Sequence, residues 1–169
     1  FNDGREEISQ FSNDDYERKL TELCEYYISL GKEVCLLSLC NLQKDHLMCQ
    51  RVKEHFSEKV TVADYQGGID KVVDLFARAE YVIASRFHAM ILGWLAKTPV
   101  FPIYYSNKTI NVIRDYGFDG TYASILDFPS LSCEEIDQNR LNSYLFETEP
   151  LQTEAQKQFL KLDEFMQKS

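Results

Sequence analysis

The 169-residue sequence lacks several patterns that would assign it to a common functional class. It contains neither the G-x-G-x-x-G fingerprint of dinucleotide-binding folds nor the G-x-x-x-x-G-K-[ST] phosphate loop, so nicotinamide and P-loop nucleotide chemistry lose support. Its five cysteines never form a C-x-x-C pair and no D-x-D spacing occurs, so we expect no metal ion and no resident cofactor. No apolar run reaches the roughly 18 residues of a membrane span, and no transmembrane segment is expected.

Positive charge is scarce as well. Only 18 lysines and arginines stand against 27 aspartates and glutamates, for a formal net charge of −9 at pH 7. A chain this acidic is a poor match for a phosphate backbone, so we expect no nucleic-acid partner. A local cationic pocket for a small anionic substrate stays compatible with that charge. The unpaired cysteines are typical of reduced core residues, and from them we expect a cytoplasmic protein.

What the sequence does contain is an alternation of apolar strands and helices. Amphipathic or buried helices separate the predicted strands, which cover residues 34–39, 60–63, 81–84 and 100–105. This spacing suits right-handed crossover connections, so we expect an α/β fold: an open, mostly parallel, Rossmann-like sheet with helices on both faces. With 44% hydrophobic residues the chain can bury one core, and residues 1–169 are interpreted as a single domain.

Two helices are predicted in enough detail to compare with a structure. The helix after residue 68 carries five apolar side chains that are expected to lie on one inward face: Ile69, Val72, Val73, Phe76 and Ala77. Near the end of the chain, Ser132 and Glu135 match a capping box, which predicts a helix reaching about Leu145.

The most informative segment is residues 79–108, in which a polar corner interrupts the most apolar part of the chain. Residues 81–84 form a strand, residues 85–88 (Ser-Arg-Phe-His) follow at its end, and an apolar helix begins there. Ligands of open α/β sheets bind at such strand ends. Arg86 could pair with a carboxylate or phosphate, and His88 could exchange a proton near neutral pH. In the structural alternative, Arg86 pairs with a protein carboxylate and His88 caps a carbonyl.

Other corners offer weaker signals. Lys108 begins the next strand-to-helix corner, where it could contact a phosphate or simply be solvated. Gly67 and Gly68 precede a helix whose N–H groups could hold an anion, although a plain turn is the simpler explanation. Ser85 lies close to His88 in sequence, but without a G-x-S-x-G elbow it is not predicted to be a hydrolase nucleophile.

Residues 81–100 (YVIASRFHAMILGWLAKTPV), followed by Y-Y-S-N-K at 104–108 and D-Y-G at 115–117, resemble the polysaccharide pyruvyl transferase family. The family signature is an apolar strand, an R-x-H corner, a small-residue helix, a G/K-x-P-V strand, a Y-x-x-K corner and a helix that closes on glycine. The resemblance extends over about residues 34–117. It implies one lobe of a two-lobed, GT-B-like enzyme. Because the R-x-H corner belongs to the C-terminal lobe and the chain opens on Phe1, we expect that lobe alone, without its N-terminal partner lobe and without activity by itself.

The resemblance also implies a reaction: transfer of pyruvyl from phosphoenolpyruvate to a pair of saccharide hydroxyls, forming a ketal during exopolysaccharide or cell-wall polymer synthesis. In this interpretation His88 is catalytic, and phosphoenolpyruvate and a saccharide acceptor are the partners. The residues expected to bind substrate are Ser85, Arg86, Phe87, Lys108, Gly67 and Gly68. Two alternatives stay open, namely a nucleotide-sugar-dependent glycosyltransferase lobe and a non-catalytic module of the same fold.

Overall fold

Strands and helices alternate along most of the chain, for which a computed structural model describes residues 10–40, 44–56, 58–65 and 69–157. The elements are α1 (Asn13–Ser29), β1 (Val34–Ser38), α2 (Asp45–Glu54), β2 (Val60–Asp64), α3 (Ile69–Arg78), β3 (Val82–Ala84), α4 (Phe87–Leu95), β4 (Val100–Tyr104), α5 (Asn107–Asp115), β5 (Ala123–Ser124), a 3-10 turn (Phe128–Ser130), α6 (Cys133–Ile136), α7 (Gln138–Leu141) and α8 (149–157). No helix in these ranges is long and apolar enough to cross a membrane.

All described strand pairs are parallel. Strands β1 and β2 pair over their whole length in a two-stranded sheet, and β4 lies between β3 and β5 in a separate three-stranded sheet. Parallel neighbours joined by helical crossovers end at the same edge of a sheet. The prediction of a mostly parallel α/β fold is therefore confirmed, and the carboxyl ends of β3 and β4 are brought side by side.

Helices cover both faces of the sheet, as predicted. Side chains alternate across a strand, so neighbouring residues of β4 enter different cores. Val100 packs with Met90 and Trp94 of α4, whereas Phe101 packs on the other face with Tyr16 and Leu23 of α1. Each of these side chains is at least nine-tenths buried, which holds α1 and α4 firmly against the sheet.

Helix α1 shows how local signals set an element's ends. Its N-cap is Ser12, whose hydroxyl accepts a hydrogen bond from the backbone N–H of Asp15 at 3.2 Å. Its C-terminal end is closed by Gly31 at φ 74°, a left-handed conformation that glycine adopts without steric cost. The N–H of Lys32 then returns to the carbonyl of Tyr27 at 3.0 Å.

The two detailed helix predictions are only partly correct. In α3, Val72 and Phe76 are buried, but Ile69 and Val73 are 54% and 45% exposed, so the buried stripe is narrower than predicted. The other prediction concerns the helix expected to reach Leu145. The capping box that begins it is present, but that helix ends after one turn at Ile136.

The break follows from a buried carboxylate. Asp137 is fully buried and accepts hydrogen bonds from Tyr27 Oη at 2.8 Å and from Arg140 Nε at 2.7 Å. Holding Asp137 against α1 divides the predicted helix into α6 and α7. The contact to Tyr27 spans 110 residues, so local sequence signals do not reveal it.

Candidate active site

The candidate site lies where β3 and β4 end. Strand β3 stops at Ala84, and α4 begins at Phe87 with Arg86 as its extended N-cap residue. Strand β4 stops at Tyr104, and α5 begins three residues later at Asn107. Because Ala84 pairs with Pro102 in the parallel register, the two strand-to-helix corners are neighbours. The fold therefore brings Arg86, Phe87 and His88 to the same edge as Lys108.

Arg86 forms a two-pronged ion pair with Asp45, the first residue of α2. Its Nε donates to Asp45 Oδ2 at 2.9 Å, and its Nη2 donates to Asp45 Oδ1. Its Nη1 donates to the hydroxyl of Tyr105 at 3.2 Å. The side chains of Arg86 and Asp45 are only 12% and 10% exposed. The structure thus contains the ion pair that the structural alternative predicts. The Nε/Nη2 edge of the Arg86 guanidinium is bound to Asp45.

Burial and ion pairing shift the pKa of the Arg86 guanidinium in opposite directions. Burial is the largest single effect and disfavours the charged form, but the hydrogen bonds that Arg86 donates to Asp45 and Tyr105, together with the negative charge of Asp45, outweigh it and raise the pKa of Arg86. The backbone N–H of Cys40 adds a further hydrogen bond to Asp45 Oδ2 at 3.2 Å. The pair is therefore a charged and well-supported unit at the edge of the sheet.

Ser85 is backed by a neutral phenol. Tyr16 of α1 is buried and hydrogen-bonds to the Ser85 side chain. Burial raises the pKa of Tyr16 to about 12, against the smaller opposing effect of the Ser85 hydrogen bond. A phenol that stays protonated through neutral pH gives Ser85 a fixed hydrogen-bonding partner, which orients the start of the corner.

His88 and Lys108 both contact the ring of Phe87. The His88 ring meets it edge to face, with centroids 5.7 Å apart and an interplanar angle of 80°. The Lys108 ammonium nitrogen lies 4.3 Å from the centre of the same ring, within cation–π range. Both polar residues are exposed, and Phe87 is half-buried. Among the described residues no carboxylate pairs with Lys108. The arrangement places an imidazole and an ammonium group on the same aromatic ring.

Not every predicted site residue can be placed. Gly67 and Gly68 lie outside the described residues. Two residues of the site were missed by the sequence analysis: Asp45, for which the only local signal is its place at the start of a helix, and Tyr105, which begins the Y-x-x-K pattern that ends at Lys108. Within the described part of the chain, no group of three or more His, Cys, Asp or Glu side chains could hold a metal ion.

Comparison with known proteins agrees with the resemblance. No curated protein and no solved structure gave a match. A family model described as polysaccharide pyruvyl transferase matches residues 4–107, which is more than half of the 169-residue chain. The matched segment includes the Arg86–His88 corner and ends one residue before Lys108. The chain therefore belongs to the polysaccharide pyruvyl transferase family.

Proposed function

We propose that this chain is the C-terminal, donor-binding lobe of a GT-B-like enzyme that transfers pyruvyl from phosphoenolpyruvate to two hydroxyls of a saccharide. The product is a cyclic ketal in an exopolysaccharide or a cell-wall polymer. One observation carries the proposal: Lys108, which has no carboxylate partner among the described residues, and the exposed His88 contact the same aromatic ring at the carboxyl edge of the sheet.

Phosphoenolpyruvate brings a carboxylate and a phosphate, and this edge can attract both. Lys108 supplies a full positive charge. The N-termini of α4 and α5 supply the positive ends of two helix dipoles. Between these two helix ends, Phe87 supplies apolar surface and Ser85 supplies a hydroxyl group. Gly67 and Gly68 lie outside the described residues, and a contact of theirs with the donor stays a prediction from the sequence.

Arg86 has a different position in this proposal. Its Nε and Nη2 are engaged by Asp45, so its contribution to the donor comes from its positive field and from the edge that faces Tyr105. Direct two-pronged binding of the donor by Arg86 would require release of Asp45. We therefore assign the first contact with the donor to Lys108.

His88 is the proposed proton-transfer group. As the donor reacts, one sugar hydroxyl loses its proton and its oxygen bonds to the central carbon, while the methylene carbon gains a proton. The second hydroxyl then loses its proton as its oxygen displaces phosphate, which leaves as hydrogen phosphate. Imidazole can give or take a proton near neutral pH, so His88 fits either transfer. Exposure at a helix N-terminus leaves it open to both substrates.

The test uses the protein that carries this chain, with a saccharide acceptor, and measures phosphate released from phosphoenolpyruvate. His88→Ala is expected to lower turnover by roughly 10²–10⁴-fold, as for loss of a general acid or base. Lys108→Met is expected mainly to raise KM for the donor. His55→Ala and Arg114→Met are matched controls, because each removes an exposed side chain of the same kind at a distance from this edge.

A wild-type rate in His88→Ala would refute the catalytic assignment.

The Asp45–Arg86 pair is the observation that favours the competing, non-catalytic module, in which the corner is purely structural. That alternative predicts loss of melting temperature in Arg86→Ala and no stabilisation by any ligand. A glycosyltransferase lobe instead predicts thermal stabilisation by a nucleoside diphosphate and none by phosphoenolpyruvate. A cytoplasmic location stays a prediction from the reduced cysteines.

A further inference from the structure

The Asp45–Arg86 pair joins the corner after β1, in the two-stranded sheet, to the corner after β3, in the three-stranded sheet. Asp45 begins α2, which follows β1, and Arg86 stands at the end of β3, 41 residues further along the chain. The residue before Asp45, Lys44, has a left-handed backbone at φ 57°, which a lysine adopts only at some steric cost. The chain therefore bears a local strain in the turn that delivers this carboxylate.

We propose that Asp45 is a positioning residue for the donor site. Its carboxylate occupies the Nε/Nη2 edge of Arg86, which an anionic substrate would otherwise bind. The inference rests on the proposed function. With Asp45 in place, Nη1 of Arg86 is turned toward the Tyr105 hydroxyl, which belongs to the same corner as Lys108. The donor then meets Lys108 first, beside His88, instead of being drawn onto Arg86.

A second buried ion pair, Asp137–Arg140, serves as a comparison, because its position is that of a purely structural pair. Asp137 also binds an arginine with two prongs, Arg140, but it is fully buried and additionally accepts from Tyr26 and Tyr27. It lies between helices and not at the carboxyl edge. Asp45, in contrast, is a partly exposed negative charge beside the proposed site of a multiply charged anion, where it opposes binding.

The charges at this edge predict that Asp45→Asn strengthens anion binding, whereas loss of a site residue usually weakens it. Removing the carboxylate removes its repulsion of an anionic substrate and frees the Nε/Nη2 edge of Arg86. Affinity for an anion should therefore rise by roughly tenfold, as expected for charges within one binding site. The transfer rate should fall, because Arg86 and Tyr105 lose their fixed geometry. KM and kcat for phosphoenolpyruvate should therefore decrease together. Asp45→Glu keeps the charge and should restore the low anion affinity of the wild type.

The experiment titrates the full chain with inorganic phosphate and, separately, with phosphoenolpyruvate, by calorimetry. Asp45→Asn should bind phosphate about tenfold more tightly than the wild type. Asp137→Asn, the matched control, should lower the melting temperature without tightening phosphate binding. Phosphate affinity that is unchanged or weaker in Asp45→Asn, or no binding by either form, would overturn the inference.

Two further measurements keep the test decisive. If Asp45→Asn does not fold, the wild-type chain is followed by NMR during phosphate addition. The Lys108 ammonium signal should shift, whereas the Arg86 Nε–H signal should stay in place; a shift of the Arg86 signal with loss of its bond to Asp45 overturns the inference. Failure of the proposed function is seen separately, as absence of phosphate release from phosphoenolpyruvate by the wild-type protein that carries this chain, assayed with a saccharide acceptor.

Discussion

Substituting Gly93 by alanine tests how closely α4 must approach the sheet to place the candidate site. Gly93 is a buried helical residue, and a Cβ added there would lie 2.5 Å from Val100 Cγ2 of β4. Carbon atoms in contact prefer about 3.5–4.0 Å, so roughly 1 Å of relative movement is required. Val100 is 1% exposed and branched at Cβ, so it cannot rotate away easily.

The expected loss of stability comes from two opposing terms. Overpacking a well-filled core costs about 1–3 kcal/mol. Alanine is the better helix former by up to about 1 kcal/mol, which offsets part of that cost. The free energy of unfolding should therefore fall by about 1–2 kcal/mol, and the melting temperature by about 2–4 °C for each kcal/mol in a chain of this size. Urea unfolding followed by circular dichroism measures both the midpoint and the slope.

A double variant separates the steric cause from any other. Val100→Ala alone leaves a cavity and is destabilising, but combined with Gly93→Ala it makes room for the new methyl group. The two changes should therefore cost less together than the sum of their separate effects, by about 1 kcal/mol. Gly93→Ala with wild-type stability, or strict additivity in the double variant, would refute the close-packing argument. Because α4 begins next to His88, the single variant should also lower turnover by more than its stability loss explains.

Two predictions concern titrating groups. Burial raises the pKa of the Cys24 and Cys49 thiols to about 12, so a thiol reagent at pH 8 should label exposed Cys35 first, and Cys35→Ser should remove the fast phase. Lys97 lowers the pKa of Glu149 to about 2, so the stability contributed by this pair is complete above the ordinary value of 4.5 and lost as pH falls toward 2. Carboxyl NMR should show the Glu149 midpoint rising in Lys97→Gln; an unchanged midpoint would contradict the pairing.

Local signals were sufficient for the elements and for one corner of the site. An apolar run followed by Ser85–His88 and a small-residue helix is readable within about 20 residues, and the structure places the corner there. The partner of Arg86 was not readable, because Asp45 reaches it only after β1 and β3 have taken their places in the fold. The same reason explains the broken helix at Asp137, whose partner Tyr27 is 110 residues away.

The two cations of the site are held in opposite ways, and this difference bears on how an acidic protein can bind an anionic substrate. With a net charge of −9, the protein as a whole repels such a substrate, so attraction must come from local charge. Arg86 is neutralised by Asp45, whereas Lys108 is held by the neutral ring of Phe87. An aromatic ring fixes an ammonium group without cancelling its charge. Phe87 therefore leaves Lys108 its full positive charge and contacts both Lys108 and His88. In the proposed function, this is where the donor is held for proton transfer.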